Sequence, residues 1–128
     1  MLRITALAIL AMSTTWAFAN DKQETSDGEK LFALHVQPLL AEKCLACHGA
    51  NGEGGVGNAI AGSAVATGDM GTHLDVGING VPGTAMQAFG GQMNDVDMAA
   101  VITYQRNAFG NNMGDMVQPI DVYNYKKG

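Results

Sequence analysis

Several residue types are scarce in this chain, and each scarcity excludes a class of protein. Only two of the 128 residues are cysteine, so a framework of several disulfides is excluded. Lysine and arginine number 7 against 12 aspartate and glutamate residues. This acidic balance excludes a general nucleic-acid binder, because a phosphate backbone requires a basic face. Charged residues are 15% and hydrophobic residues 47% of the chain, which excludes a disordered protein.

Glycine, in contrast, is abundant. The 17 glycines in a chain long enough for one small domain indicate long loops. No strand-period alternation and no internal repeat is evident, so we expect an all-α protein. Helices joined by glycine loops bury little apolar surface, and a domain this small needs an additional stabilising group. Since a disulfide framework is excluded, another group must fill the centre of the domain.

Residues 1–19 have the pattern of a secretory signal peptide. Arg3 supplies the positive start, residues 4–18 are mostly apolar, and Ala17-Phe18-Ala19 is an A-x-A cleavage site. We expect cleavage after Ala19 and a periplasmic protein. The alternative is an uncleaved membrane anchor, although the apolar run is short for a span.

Two helices are predicted before the first cysteine. Residues 20–25 form a flexible polar tail, and Ser26 with Glu29 fits a capping box. Pro38 is expected to end or kink this first helix and to start a second one, which reaches about Cys44.

Further helices follow a glycine-rich loop over residues 49–71. Thr72 with Asp75 caps a short helix that Gly80 stops. Asn94 caps the clearest helix, residues 95–107. One stripe of that helix is apolar apart from its last member: Met98, Val101, Ile102 and Gln105. Residues 26–110 are expected to form the domain, and residues 111–128 a polar C-terminal extension draped over its surface.

Cys44-Leu45-Ala46-Cys47-His48 is a C-x-x-C-H motif, the attachment signature of c-type haem. Two thiols three residues apart reach the two vinyl groups on one edge of a porphyrin. The following histidine is then placed to bind the iron axially. The sequence therefore predicts one covalent haem c, held by Cys44 and Cys47, with His48 as an iron ligand.

Other readings of the motif are weaker. A zinc site needs four ligands, and beyond these three residues only His35 and His73 offer imidazole or thiolate. A thioredoxin-like motif belongs to an α/β fold, and a plain disulfide would close too small a loop to stabilise much. We interpret His35 and His73 as partly exposed helix residues.

A second axial ligand decides the chemistry, because a methionine closes the iron for electron transfer and an empty position opens it to small molecules. Met86 lies in a loop whose small neighbours Ala85 and Ala88 allow close approach. We predict Met86 as the ligand, with Met93 as the alternative. The remaining methionines of the mature chain are assigned to the glycine-rich loop (Met70), to the clearest helix (Met98) and to the tail (Met113 and Met116).

At this point the chain resembles a class I monohaem cytochrome c. Its second half is similar to the cytochrome c domain of bacterial cytochrome c oxidase subunit II. The resembling segments are residues 44–48, 51–54, 61–63, 73–90 and 95–107. The resemblance implies three to five helices around one covalent haem, with His48 and Met86 as axial ligands. It also implies that Val101 and Tyr104 pack against the first helix.

The chain departs from this family pattern in three places. Gln87 stands where a proline usually follows the methionine. The loop after the motif is short, so a carbonyl of Val56 or Gly57 is expected to orient His48. Val36 and Leu40 occupy the places of the usual glycine and aromatic residue, and Phe32 lies too far upstream.

We therefore expect an exported electron carrier of the respiratory chain and not an enzyme, since no paired carboxylates suggest acid–base catalysis. Its partners would be redox proteins such as a cytochrome c oxidase or a dehydrogenase, with membrane contact only through a partner or an uncleaved signal. The protein would be a monomer or a complex subunit. Alternatives are a fixed subunit of an oxidase or dehydrogenase complex, and an open-iron sensor or enzyme.

Overall fold

The computed structural model describes residues 30–128, which contain four helices and no strand. The helices are α1 (residues 32–48), α2 (Met70–Asn79), α3 (Asp95–Asn107) and α4 (Pro119–Lys127). The predicted all-α class of a small cytochrome c is confirmed. The predicted signal peptide, the polar tail and the Ser26–Glu29 capping box lie outside the described residues. Within residues 30–128, no helix has the length and apolarity needed to cross a membrane.

Helix α1 alternates π-helical and α-helical turns without a break. Its pieces are a π-helix over Phe32–Val36, an α-helix over Gln37–Leu40, a π-helix over Ala41–Leu45 and an α-helix over Ala46–His48. The helix therefore does not end at Pro38, but the prediction that Pro38 stands in the first turn of a second helical piece is confirmed. The Gln37 N–H bonds the Phe32 carbonyl five residues back. This widened turn precedes the proline, which then stands in the first turn of the next α-helical piece, where its missing N–H is tolerated.

The mixed turns of α1 place every fourth residue on its inner face. Val36, Leu40 and Cys44 are buried, and Phe32 is half-buried. A π turn holds more residues than the 3.6 of an α turn, so a spacing of four stays on one side. The Phe32 ring accordingly lies 4.8 Å from the Tyr104 ring, between centroids. This contact confirms that Tyr104 packs against the first helix, and the partner ring comes from Phe32, upstream of the places that Val36 and Leu40 occupy.

Helices α2 and α3 are set by their caps. Asp69, and not Thr72, caps α2, because the Asp69 carboxylate accepts a hydrogen bond of 2.9 Å from the Thr72 N–H. Gly80 follows α2 at φ 70°, as predicted for its stop. Asn94 caps α3 as predicted, and its side-chain oxygen accepts from the Asp97 N–H at 2.8 Å.

Residues 111–128, expected as a polar C-terminal extension, include α4. Gln118 and Asp121 form a reciprocal capping box at its start. Val117 and Val122 are 3% and 0% exposed, so the segment contributes to the same core as α1, α2 and α3. Two buried valines in a polar stretch do not form a sustained helical pattern of apolar residues. The sequence therefore did not predict α4, whose apolar side chains are recognised only from their packing on the core.

Candidate cofactor site

The last two turns of α1 carry the thiols and imidazole of the C-x-x-C-H motif. Cys44 is buried and Cys47 is exposed. His48 is the last helical residue and half-buried, and Gly49 then leaves the helix at φ 85°. The loop after the helix returns at once, since the Gly57 N–H donates to the Cys47 carbonyl at 2.8 Å.

This returning loop orients the His48 ring. Its Nδ1 lies 2.6 Å from the carbonyl oxygen of Asn58, so Nδ1 carries the proton that is donated and Nε2 is left as the ligating nitrogen. The carbonyl belongs to Asn58, and the expectation of Val56 or Gly57 is wrong. Gly57 instead packs on the ring face: a β-carbon there would lie 2.9 Å from Cε1.

A cavity of about 590 Å³ opens beside these residues, within the usual range for a bound cofactor. Cys44, Cys47 and His48 line it together with Met86. Much of the remaining lining is apolar, including Val56, Ile60, Val65, Val76, Val81 and Phe89. Two thiols, an imidazole with one uncommitted nitrogen and a thioether in an apolar cavity fit the donor set of a haem c.

Met86 is held by its own loop despite the absence of the following proline. Its N–H donates to the Thr84 hydroxyl at 3.2 Å, and its carbonyl accepts from the Val81 N–H at 2.9 Å. Gly80 packs closely beneath, where a β-carbon would lie 2.5 Å from the Met86 carbonyl oxygen. Gln87 is exposed.

Among the methionines of residues 30–128, only Met86 lines the cavity. Met93 and Met98 are buried in the hydrophobic core, Met70 begins α2, and Met113 and Met116 are exposed. The structure thus brings Met86 together with the C-x-x-C-H residues, and keeps Met93 apart from them. Axial ligation by His48 and Met86 stays a prediction.

The structure adds a residue that sequence reasoning placed wrongly. His73 was expected to be partly exposed, yet it is 5% exposed and lines the cavity. Its Nε2 lies 2.9 Å from Oε1 of Gln105, which also lines the cavity. The polar Gln105 at the end of an apolar stripe was the available signal, because a buried amide requires a polar partner. His35, in contrast, is exposed on α1.

The surroundings of His73 and Cys44 shift the pKa of each side chain. Burial lowers the pKa of His73, the hydrogen bond that the ring donates to Gln105 raises it, and the nearby Arg106 guanidinium lowers it. Burial also raises the pKa of the Cys44 thiol to about 11, with a further contribution from Cys47. Burial thus disfavours the charged form of both groups.

No cluster of three or more metal-ligating side chains of the His, Cys, Asp and Glu types occurs within residues 30–128. The closed zinc site considered from the sequence thus has no counterpart in this part of the chain. His48 and Met86 instead offer a pair of ligands for a cofactor that contains its own metal ion.

Comparisons with known proteins agree with this chemistry. The family model of cytochrome c oxidase, cbb3-type, subunit III matches residues 25–104. Cytochrome c55X of Paracoccus denitrificans is 28% identical over 104 residues, which cover 81% of this chain and 93% of that protein.

A solved structure is also similar, that of the dihydro-heme d1 dehydrogenase NirN in complex with DHE. It is 30% identical to this chain at a TM-score of 0.52, over 57% of this chain and 16% of that one. The chain thus spans about a sixth of the dehydrogenase. The expected similarity to oxidase subunit II stays a prediction.

Proposed function

Because the chain belongs to the family of cytochrome c oxidase, cbb3-type, subunit III, and is a haem c electron-transfer protein, we propose that it is an exported carrier of single electrons with one covalent haem. The observation that carries this proposal is the cavity in which Cys44, Cys47, His48 and Met86 meet. Signal cleavage after Ala19 and a periplasmic location are part of the proposal.

Each residue of the cavity has a distinct role in it. Cys44 and Cys47 hold the haem through two thioethers, His48 binds through Nε2, and Met86 binds through its sulfur. The haem supplies one iron that gains and loses a single electron. The Asn58 carbonyl keeps the His48 ring in one orientation, and the Thr84 hydroxyl holds the Met86 backbone. Two positioned protein ligands leave little to reorganise on electron transfer.

The cavity rim offers a route for electrons. Cys47 is exposed, and so are Val56 and Val81, at 87% and 38%. All three line the cavity, so the edge of a haem held beside them would be accessible to a partner. With a net charge of −5 and apolar groups at this rim, we propose a small, partly apolar docking patch in place of strong electrostatic steering.

We propose a terminal oxidase as the electron acceptor. The family name of the matched model, a cytochrome c oxidase subunit, supports an oxidase as partner. The protein would then deliver electrons without itself catalysing a reaction, since His48 and Met86 would hold the iron of a bound haem and leave no position open to a substrate.

A second candidate is a fixed electron-entry subunit of a dehydrogenase complex. The similarity to about a sixth of the dehydrogenase NirN favours it, because there the matched segment is one part of an enzyme. Purification of the chain from its own membranes and periplasm separates the two candidates. A carrier is recovered alone, whereas a subunit is recovered in a fixed ratio with a larger protein.

The function is tested by visible spectra of protein made in an exporting host with a cytochrome c maturation system. We expect sharp low-spin ferrous bands, a weak red methionine-to-iron band in the ferric form and no change with carbon monoxide. Haem should stay with the polypeptide under denaturing conditions, and the double substitution C44A/C47A should abolish this. A high-spin spectrum that shifts with carbon monoxide would favour sensing or catalysis instead.

A further inference from the structure

Two polar side chains face each other in the largely apolar wall of the cavity. His73 comes from α2 and Gln105 from α3, and the His73 Nε2–H donates to Gln105 Oε1 at 2.9 Å. Both residues line the cavity, next to Val76 and Phe89. The pair is the reason why the apolar stripe of α3 ends in an amide.

Stability does not explain the pair. His73 is 5% exposed, and its Nδ1 has no hydrogen-bond partner among the protein atoms of residues 30–128. A buried polar atom without a partner destabilises the fold, and an apolar pair of the same shape would avoid that loss. Such a group calls for a functional reason.

The pair shares its cavity with a residue that would carry the cofactor. Cys44 lines the same cavity as His73 and Gln105. The polar groups therefore lie along the cavity wall beside the thioether position, and not at a remote corner of the core. Arg106, the next residue of α3, is neutralised by its bidentate contact with Asp115 and does not line the cavity.

We propose that the His73–Gln105 pair sets the reduction potential of the haem, holding it below the value that an apolar wall would give. The inference rests on the proposed function. Ferric haem carries one more positive charge than ferrous haem, and charge is stabilised by polar surroundings. An imidazole and an amide in the wall therefore stabilise the oxidised form more than the reduced form, and wall polarity is one of the ways in which a protein tunes its haem.

The test is potentiometric titration of the holoprotein and four variants at neutral pH. H73L and Q105M remove the polar groups at similar volume, and each should raise the midpoint potential. Q105E adds a buried negative charge and should lower it. H35L alters an exposed histidine and should leave the potential unchanged.

Two further measurements keep the outcome decisive. The double substitution H73L/Q105M should raise the potential by less than the sum of the two single shifts, because the residues act as one hydrogen-bonded pair. If H73L fails to fold, Q105M and Q105E still decide the sign. Unchanged potentials in Q105M and Q105E would overturn the inference. Visible spectra recorded alongside report the proposed function separately, since a high-spin wild-type spectrum would refute His–Met ligation whatever the potentials show.

Discussion

The Nδ1–H of His48 donates a 2.6 Å hydrogen bond to the carbonyl oxygen of Asn58, ten residues further along the chain. This bond fixes the tautomer and the orientation of the imidazole. A hydrogen bond of this kind also makes the opposite ring nitrogen a stronger electron donor to a metal. The loop that supplies it passes so close to the ring that residue 57 must be glycine.

Substitution of that glycine should disturb the ring. In Gly57→Ala the new β-carbon would lie 2.9 Å from His48 Cε1 and 3.0 Å from Nδ1, so the ring or the loop must shift. We expect a loss of about 1–3 kcal/mol in unfolding free energy. The potential should rise, because a weaker hydrogen bond makes His48 a weaker donor. Gly91→Ala is the control, since nothing lies within 4 Å of its β-carbon. Equal behaviour of the two variants in urea unfolding and potentiometry would contradict the prediction.

Removal of the Met86 thioether should open the iron without releasing the haem. Met86→Ala keeps Cys44 and Cys47, so the haem stays covalently attached, while the potential falls and carbon monoxide binds the ferrous form. Met93→Ala is the matched control, because Met93 is 6% exposed in the core and does not line the cavity. It should lose about 2–5 kcal/mol of stability and keep the low-spin spectrum. The reverse pattern would assign the ligand to Met93.

Loss of the Asp115 carboxylate should destabilise the fold. Arg106 is 3% exposed and donates to both Asp115 oxygens, at 2.9 and 3.0 Å from Nε and at 2.6 Å from Nη2. Asp115→Ala strands the buried guanidinium. Since Asp115 is itself about one third exposed, we expect a loss of about 2–3 kcal/mol, below the value for a fully buried pair. Glu42→Gln breaks the exposed pair with Lys43 and should cost at most about 1 kcal/mol by urea unfolding. Similar losses in the two variants would argue against a structural role for the Arg106 pair.

The Arg106–Asp115 pair also predicts that the folded protein loses stability in acid. The Arg106 hydrogen bonds lower the pKa of the Asp115 carboxyl below its usual range. Below a pH of about 4, the unfolded chain therefore binds the Asp115 proton before the folded protein does. Stability should be fully present above that pH and fall as the pH drops through the lower folded pKa. Unfolding free energy measured against pH should show a shallower slope there in Asp115→Asn. An unchanged slope would assign the acid sensitivity to other carboxylates.

Helix α4 should contribute to the stability of the whole fold. Val122 is fully buried between α4 and the core, so Val122→Ala should cost about 1.5–3 kcal/mol. Ile120 lies on the same helix and is 57% exposed, and Ile120→Ala should change stability by no more than about 0.5 kcal/mol. Thermal unfolding of the two variants measures the difference. Equal melting temperatures would mean that α4 is not packed as described.

Features encoded over a few residues were predictable. The C-x-x-C-H run places three functional groups on consecutive turns of one helix, whatever the rest of the chain does. The Asn94 cap is likewise a hydrogen bond between neighbours in sequence, and α3 follows its predicted bounds. Met86 could be proposed because its loop has small neighbours and the right place in a family pattern.

Features that depend on distant neighbours were decided by the tertiary structure. The sequence could not show that His48 donates its Nδ1–H to the Asn58 carbonyl, because that contact depends on how the glycine loop returns. It could not predict that His73 is buried, because its hydrogen-bond partner Gln105 lies 32 residues away. Nor could it bring Phe32 onto Tyr104, because the widened turns of α1 carry no clear signal of their own. The sequence by itself thus determined the chemistry of the site, since bonding between near neighbours is local. Packing determined the surroundings that tune that chemistry, because burial depends on segments that meet only in the folded chain.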